Sequence, residues 1–176
     1  MPFIGNKPTA VPLTSADLED GIITSAKLAA GVGGKVLQVV TTTKTDATST
    51  TSSSFVDITG MSLSITPSST SSKILILSDI GLSSDTTERS DQIRLLRDAT
   101  TIVSSANLFR LTSTNSYMYN ASLNYIDSPS STSALTYKLQ WLSEAGAGTA
   151  YLNRRGNNAT VFTASTITAM EIAGWL

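Results

Sequence analysis

Asp57, Asp79, Asp127, Glu144 and Glu171 are the carboxylates nearest to β-forming stretches. The chain has no histidine and no cysteine, so they are the groups left for acid–base chemistry. The missing residue types remove the usual general base, the usual zinc ligands, the Ser-His-Asp arrangement and any disulfide. A glycosidase would need two of the acids facing each other across a cleft. Spacing along the chain does not set that, and structural or solvent-facing roles are expected. Glu171, which interrupts the apolar run "TAMEIAG", is expected to pair with an arginine or to face solvent. No metal cluster, phosphate-binding loop or nucleophile motif occurs, and no cofactor is expected.

The most polar stretch of the second half is "LNRRGNNAT", Leu152–Thr160. Arg154, Arg155, Asn157 and Asn158 could grip an anionic or sugar surface through forked donors, or could form the solvated end of a hairpin. Tyr117, Tyr119, Tyr125, Tyr137 and Trp141 could line a glycan platform. Their alternation in phase with apolar residues instead assigns them to the core or to a subunit interface. Asn158-Ala-Thr160 and Asn120-Ala-Ser122 match glycosylation sequons, and are read as coincidence because no export signal is visible.

The elements that must position these side chains read as β-strands. Short runs rich in Val, Ile, Thr and Tyr alternate with Ser/Thr/Asp/Gly/Pro clusters. The runs are Val36–Thr42, Ser54–Ile58, Met61–Thr66, Lys73–Leu77, Gln92–Arg97, Thr101–Ser105, Tyr117–Ile126, Tyr137–Ser143, Thr149–Asn153 and Thr166–Ala173. Met61, Leu63 and Ile65 oppose Ser62, Ser64 and Thr66; Tyr137, Leu139 and Trp141 oppose Lys138 and Gln140. "KILIL" at Lys73–Leu77 has no polar face and is expected to be a central strand covered on both sides. "RDAT", Arg97–Thr100, is a tight turn, and "TKTDATSTTSSS" and "TPSSTSS" are loops. No helical period persists over ten residues. An all-β fold follows, a two-sheet sandwich with a jelly roll as the first expectation.

Ahead of residue 35 the pattern changes. Met1–Pro12 holds Pro2, Pro8 and Pro12 with Phe3 and Ile4 between them, and reads either as a disordered tail or as a docking peptide. Leu13–Gly21 is followed by a near copy, Ile22–Gly31. In each copy a threonine N-cap opens a short helix-forming run and a glycine closes it. Helices this short are unstable alone in water. Leu13, Leu18, Ile22, Ile23 and Leu28 must therefore be buried against the following domain, sister chains or a partner. "GVGG" at Gly31–Gly34 is a flexible joint. The chain thus divides into an arm (1–12), a tandem decamer with its hinge (13–34) and a β domain (35–176).

Bulk composition narrows the function classes. Charged residues are 14% of the chain, below the roughly 25% of an average soluble protein. Serine and threonine together supply roughly 30%, taking the place of the missing charged residues. Net charge is −1 and the 12 basic residues are scattered, so nucleic acid is not an expected partner. No run approaches the ~18 apolar residues of a membrane span. The composition suits a secreted or virion protein, yet no targeting segment is visible. Assembly into a particle in a host cytoplasm, with release by lysis, reconciles the two.

"DGIITSAKLAAG", Asp20–Gly31, resembles the short repeats of tailed-phage fibre and virion proteins, especially those of marine and cyanobacterial phages. The opening "MPFIGNKP" resembles the starts of structural proteins in the same phages. The region from Lys35 to Ala173 resembles a Ser/Thr-rich C-terminal domain of such fibres, through "GKVLQVV", "SFVDITGMSLSITPSSTSSKILI", "RLLRDATTI", "LNYIDSPSSTSALTYKLQ", "AYLNR" and "ASTITAMEIAG". The resemblance implies a non-enzymatic virion component, a homotrimer with its N-terminus toward the particle and its β domain outward. Pro2, Phe3, Ile4, Pro8 and Pro12 would then attach it to tail or capsid proteins. Leu13, Leu18, Ile22, Ile23 and Leu28 would form the trimeric neck, and the β domain could meet a host-surface glycan or protein. Two repeats and one domain fall short of a long fibre, which favours a short tail fibre, a fibre tip or a capsid decoration. A small tail-borne polysaccharide depolymerase is the rival from another class. A secreted cellular lectin is disfavoured by the missing signal sequence and cysteines.

Overall fold

A computed structural model describes residues 36–86, 90–110, 117–144 and 148–174. The chain divides into two units, Met1–Gly34 and Lys35–Leu176, and the described residues all belong to the second. The arm residues Pro2, Phe3, Ile4, Pro8 and Pro12 and the neck residues Leu13, Leu18, Ile22, Ile23 and Leu28 lie outside the described residues, as do the short helical turns expected there.

Twelve strands occur among the described residues, and no helix. They are β1 (Val36–Lys44), β2 (Thr48–Thr50), β3 (Val56–Ile65), β4 (Lys73–Ser84), β5 (Ser90–Arg97) and β6 (Thr100–Arg110). The second half adds β7 (Tyr119–Asp127), β8 (Leu135–Leu142), β9 (Ala150–Leu152), β10 (Arg154–Arg155), β11 (Asn158–Phe162) and β12 (Ser165–Ile172).

Eight long strands build two antiparallel sheets. The first runs β1-β12-β4-β7 and the second β3-β8-β5-β6. The chain changes sheet at every link between these eight strands except the β5–β6 hairpin. That is the jelly-roll connectivity, two Greek keys folded face to face. The short strands extend one end of the first sheet. β12 pairs with β4 over Lys73–Asp79, and β9 takes over the same edge of β4 at Leu82–Ser84, carrying β2 on its far side. β10 and β11 form a separate two-stranded hairpin.

Alternation explains the core. β8 and β12 bury every second residue along their length. Tyr137, Leu139 and Trp141 meet Ile167 and Ala169 within one cluster, together with Met61, Leu63, Ile74, Ile76, Ile80, Ile93 and Leu95. Each large aliphatic side chain so removed from water contributes about 1.5–3 kcal/mol.

Three expectations change at this level. Ser54–Ile58 and Met61–Thr66 are one strand, β3, with a register break between Asp57 and Ser62. Gly60 supplies the break with φ of 83°, which a side chain would resist. "KILIL" is central, as expected, between β12 and β7, but the strand runs on to Ser84 and only one face is fully covered. Ile74 and Ile76 are buried, whereas Leu75 and Leu77 are half-buried on the outer face. The stretch "TKTDATSTTSSS" is not all loop, because Thr48–Thr50 forms β2. "RDAT" is the expected tight turn: Asp98 has φ of 53°, and its carboxylate accepts from Thr136 N at 2.9 Å, which pins the hairpin to β8.

Candidate functional site

Asp127, Arg97 and Tyr137 converge where the two sheets meet. Asp127 ends β7 in the first sheet, Arg97 ends β5 in the second, and Tyr137 lies near the start of β8. Arg97 Nη1 donates to Asp127 Oδ1 at 2.9 Å and Oδ2 at 2.7 Å. Tyr137 Oη donates to Oδ2 at 2.7 Å, and Ser128 N to Oδ1 at 2.9 Å. Burial, then the hydrogen bond to Asp127, pushes the Tyr137 hydroxyl far above its usual range. The bond to Asp127 raises Arg97 further. The phenol therefore stays protonated and the cluster is a fixed clamp between sheets.

Glu171 corrects the sequence reading. It neither pairs with an arginine nor faces solvent: it is fully buried on the inward face of β12. Its Oε1 accepts from Ser68 N at 2.7 Å and from the hydroxyls of Ser68 and Ser72 at 2.6 Å each. Its Oε2 accepts from Gln38 Nε2 at 2.6 Å. Burial is the largest single influence and would raise the carboxyl. The hydrogen bonds from Ser68, Ser72 and Gln38 together outweigh it and hold the group at about 2. The low-complexity stretch Thr66–Ser72 is thus a loop tied to the core by one carboxylate.

The remaining acids have separate surroundings. Asp57 is exposed on the second sheet, where Gln140 Nε2 at 2.6 Å and Lys138 Nζ at 3.0 Å hold its carboxyl below the usual range. Gln140 in turn accepts from Arg94 Nε at 2.7 Å, and the Arg94 guanidinium lies 4.1 Å above the Phe55 ring. Glu144 is exposed, its backbone N–H reaching Asp91 at 3.3 Å. Asp79 lies on the outer face of the first sheet. No group of three or more acidic residues able to hold a metal ion occurs among the described residues.

Arg154, Arg155, Asn157 and Asn158 come together in the β10–β11 hairpin, which corresponds to the hairpin-end alternative. Arg154 and Arg155 are half-buried rather than free-standing. The Arg154 guanidinium stacks 4.2 Å from the Tyr151 ring and donates to the Arg155 carbonyl at 3.3 Å. Asn158 Oδ1 accepts from Thr160 N at 2.9 Å and Thr160 Oγ1 at 2.7 Å. The hairpin packs on β4: a Cβ at Gly156 would fall 1.8 Å from the Ser84 carbonyl oxygen. Behind it, buried Asn153 adopts φ of 61°. Its Nδ2 donates to the Lys44 carbonyl at 2.7 Å and its Oδ1 accepts from Ser165 Oγ at 2.5 Å.

The aromatic residues separate. Tyr137 and Trp141 are core. Tyr117 and Tyr125 are not, being 59% and 37% exposed. Tyr117 precedes β7, and β7 pairs only with β4 among the described residues, so the Tyr125 side chain reaches solvent at the sheet edge.

A feature that sequence reasoning missed lies on the outer face of the first sheet. Cross-strand register aligns Thr168, Leu77 and Asn124 in one row and Thr166, Asp79 and Ser122 in the next. With backbone of Ser78 they line a shallow trough of about 450 Å³. The sequence does not join them, because Ser122, Asn124, Thr166 and Thr168 lie 43 to 89 positions from Asp79. A further row places Val39, Met170, Leu75 and Ile126 side by side, with Val39 53% and Ile126 59% exposed.

No helix among the described residues is long and apolar enough to cross a membrane. No family model matches the chain, and no curated protein matches it. Among solved structures it is similar to the VP2 subviral particle of infectious bursal disease virus, at 14% identity and a TM-score of 0.45, over 78% of this chain and 38% of that one. The T13 particle of the same virus gives 12% identity and a TM-score of 0.45, over 80% and 40% of the two chains. Dimeric latent PorU from Porphyromonas gingivalis gives 11% identity and a TM-score of 0.47, over 82% and 13%. The chain spans less than half the length of each of these proteins.

Proposed function

We infer that the chain is a structural component of a tailed-phage virion whose work is assembly and attachment, not catalysis. The arm would dock on the particle, the tandem decamers would hold three chains together, and the jelly-roll domain would project outward. The observation that carries this reading is the strand order β1-β12-β4-β7 over β3-β8-β5-β6 in a chain whose motifs resemble phage virion proteins. The acids add support: Asp127 is committed to Arg97 and Tyr137, Glu171 to Ser68, Ser72 and Gln38, and Asp57 to Lys138 and Gln140. A short tail fibre or fibre tip is the first placement. Capsid decoration is the second. Mass spectrometry of density-purified particles tests the reading. The chain should co-purify with the particles at stoichiometric level, and its absence from them would overturn it.

A further inference from the structure

We propose that the trough on the outer face of the first sheet is a binding site for a neutral saccharide. The proposal deepens the reading of the domain as the outward, attachment-bearing part of a virion and rests on that reading. The trough's volume, about 450 Å³, falls in the roughly 300–1,000 Å³ range of small-molecule sites. Its polar groups come from three adjacent strands in unbroken antiparallel register, so their backbone spacing is fixed before any ligand arrives.

The donor and acceptor inventory selects the ligand class. Asp79 offers two carboxylate oxygens that only accept; Asn124 and the hydroxyls of Ser122, Thr166 and Thr168 both donate and accept. The side chains of Asp79, Ser122, Asn124 and Thr166 make no hydrogen bond among the described residues, and neither Asp79 nor Asn124 is buried. Thr168 shares its hydroxyl with Thr41 at 2.9 Å. Leu77 gives a small apolar floor.

A saccharide matches this set. Neighbouring hydroxyls on a sugar ring can donate to the two oxygens of Asp79, forming charge-assisted bonds. Its other hydroxyls meet groups able to act as either partner, and its C–H face meets Leu77. An anionic ligand would find Asp79 and no lining cation. An apolar one would strip water from five polar side chains and replace none of those bonds. The trough is also bounded. At one end Asn153 N donates to the Gly81 carbonyl and Thr163 N to the Asn153 carbonyl, bringing the base of the β10–β11 hairpin against β4. At the other end stands the row of Met170, Leu75 and Ile126.

Saturation-transfer NMR on the full chain, with the methyl glycosides of glucose, galactose, mannose and N-acetylglucosamine in turn, tests the site. Transfer to at least one of them is expected. Affinity should fall at least about tenfold in the Asp79→Ala/Asn124→Ala variant. It should fall also in Thr166→Val, which keeps the strand's shape if the double variant folds poorly. Asp57→Ala, on the opposite sheet, should bind as the parent does. No transfer to any of the four glycosides, or transfer undiminished in both trough variants, would overturn the proposal. Because the titration uses free protein, such a failure leaves the virion reading to be decided separately by the particle composition.

Discussion

Tyr137 donates its hydroxyl to Asp127 Oδ2 across 2.7 Å, and this bond joins one sheet of the sandwich to the other. Arg97 reaches the same carboxylate from the second sheet. Removing one partner leaves a buried charge with too few donors. Tyr137→Phe should destabilise the domain by about 1–3 kcal/mol. Asp127→Ala, which strands Arg97 as well, should cost about 3–5 kcal/mol. Urea unfolding followed by tryptophan fluorescence reads both. Equal midpoints for parent and Asp127→Ala would refute the clamp.

The Glu171 cage makes a pH prediction. Its folded value of about 2 lies below the ordinary 4.5. A depressed carboxyl adds stability that is fully present above the unfolded value and is lost as pH falls through the folded one. Stability should therefore decline from about pH 4.5 toward pH 2, by on the order of 3 kcal/mol from this group. Glu171→Gln should be less stable at neutral pH and should flatten that acid limb. An acid limb of equal slope in parent and variant would contradict the assignment.

Asn153 combines a left-handed backbone with a buried, fully used amide. Asn153→Ala loses both features and should cost about 2–4 kcal/mol. Asn153→Gly, which keeps only the backbone freedom, should cost less. Thermal melting orders the three proteins: the reverse order of the two variants would show that the left-handed backbone does not matter, and an Asn153→Gly midpoint equal to the parent's that the amide's bonds do not.

The neck carries a separate prediction. Leu18→Asp with Leu28→Asp should disrupt the proposed trimer while the Lys35–Leu176 domain keeps its fold. Sedimentation velocity reads the mass and circular dichroism reads the β-sheet. An unaltered trimer would contradict the role given to the decamers.

How much of this was legible in the sequence depends on the range of the interaction. Period-two alternation in Tyr137–Trp141 and Met61–Ile65 is local, and it identified inward faces correctly. Alternation carries no information on whether a strand is central or at an edge, so Tyr125 reads as a core or subunit-interface residue although it is 37% exposed. Glu171 reads as pairing with an arginine or facing solvent because its four hydrogen bonds come from Ser68, Ser72 and Gln38, about 100 or more positions away. The trough was invisible for the same reason, since strand register brings Asn124, Asp79 and Thr166 together. The "LNRRGNNAT" hairpin was legible as a turn, but its close seating on β4 depends on tertiary contact at Gly156.

The central claim is that the jelly-roll domain is the outward part of a virion protein. Immunogold labelling of intact phage particles, with an antibody raised against the Lys35–Leu176 domain, tests it most directly. Gold is expected at discrete positions on unbroken particles, at the tail for a short fibre or tip and over the head for a decoration. Particles that stay unlabelled, while the antibody detects the chain only in the particle-free lysate, would contradict it.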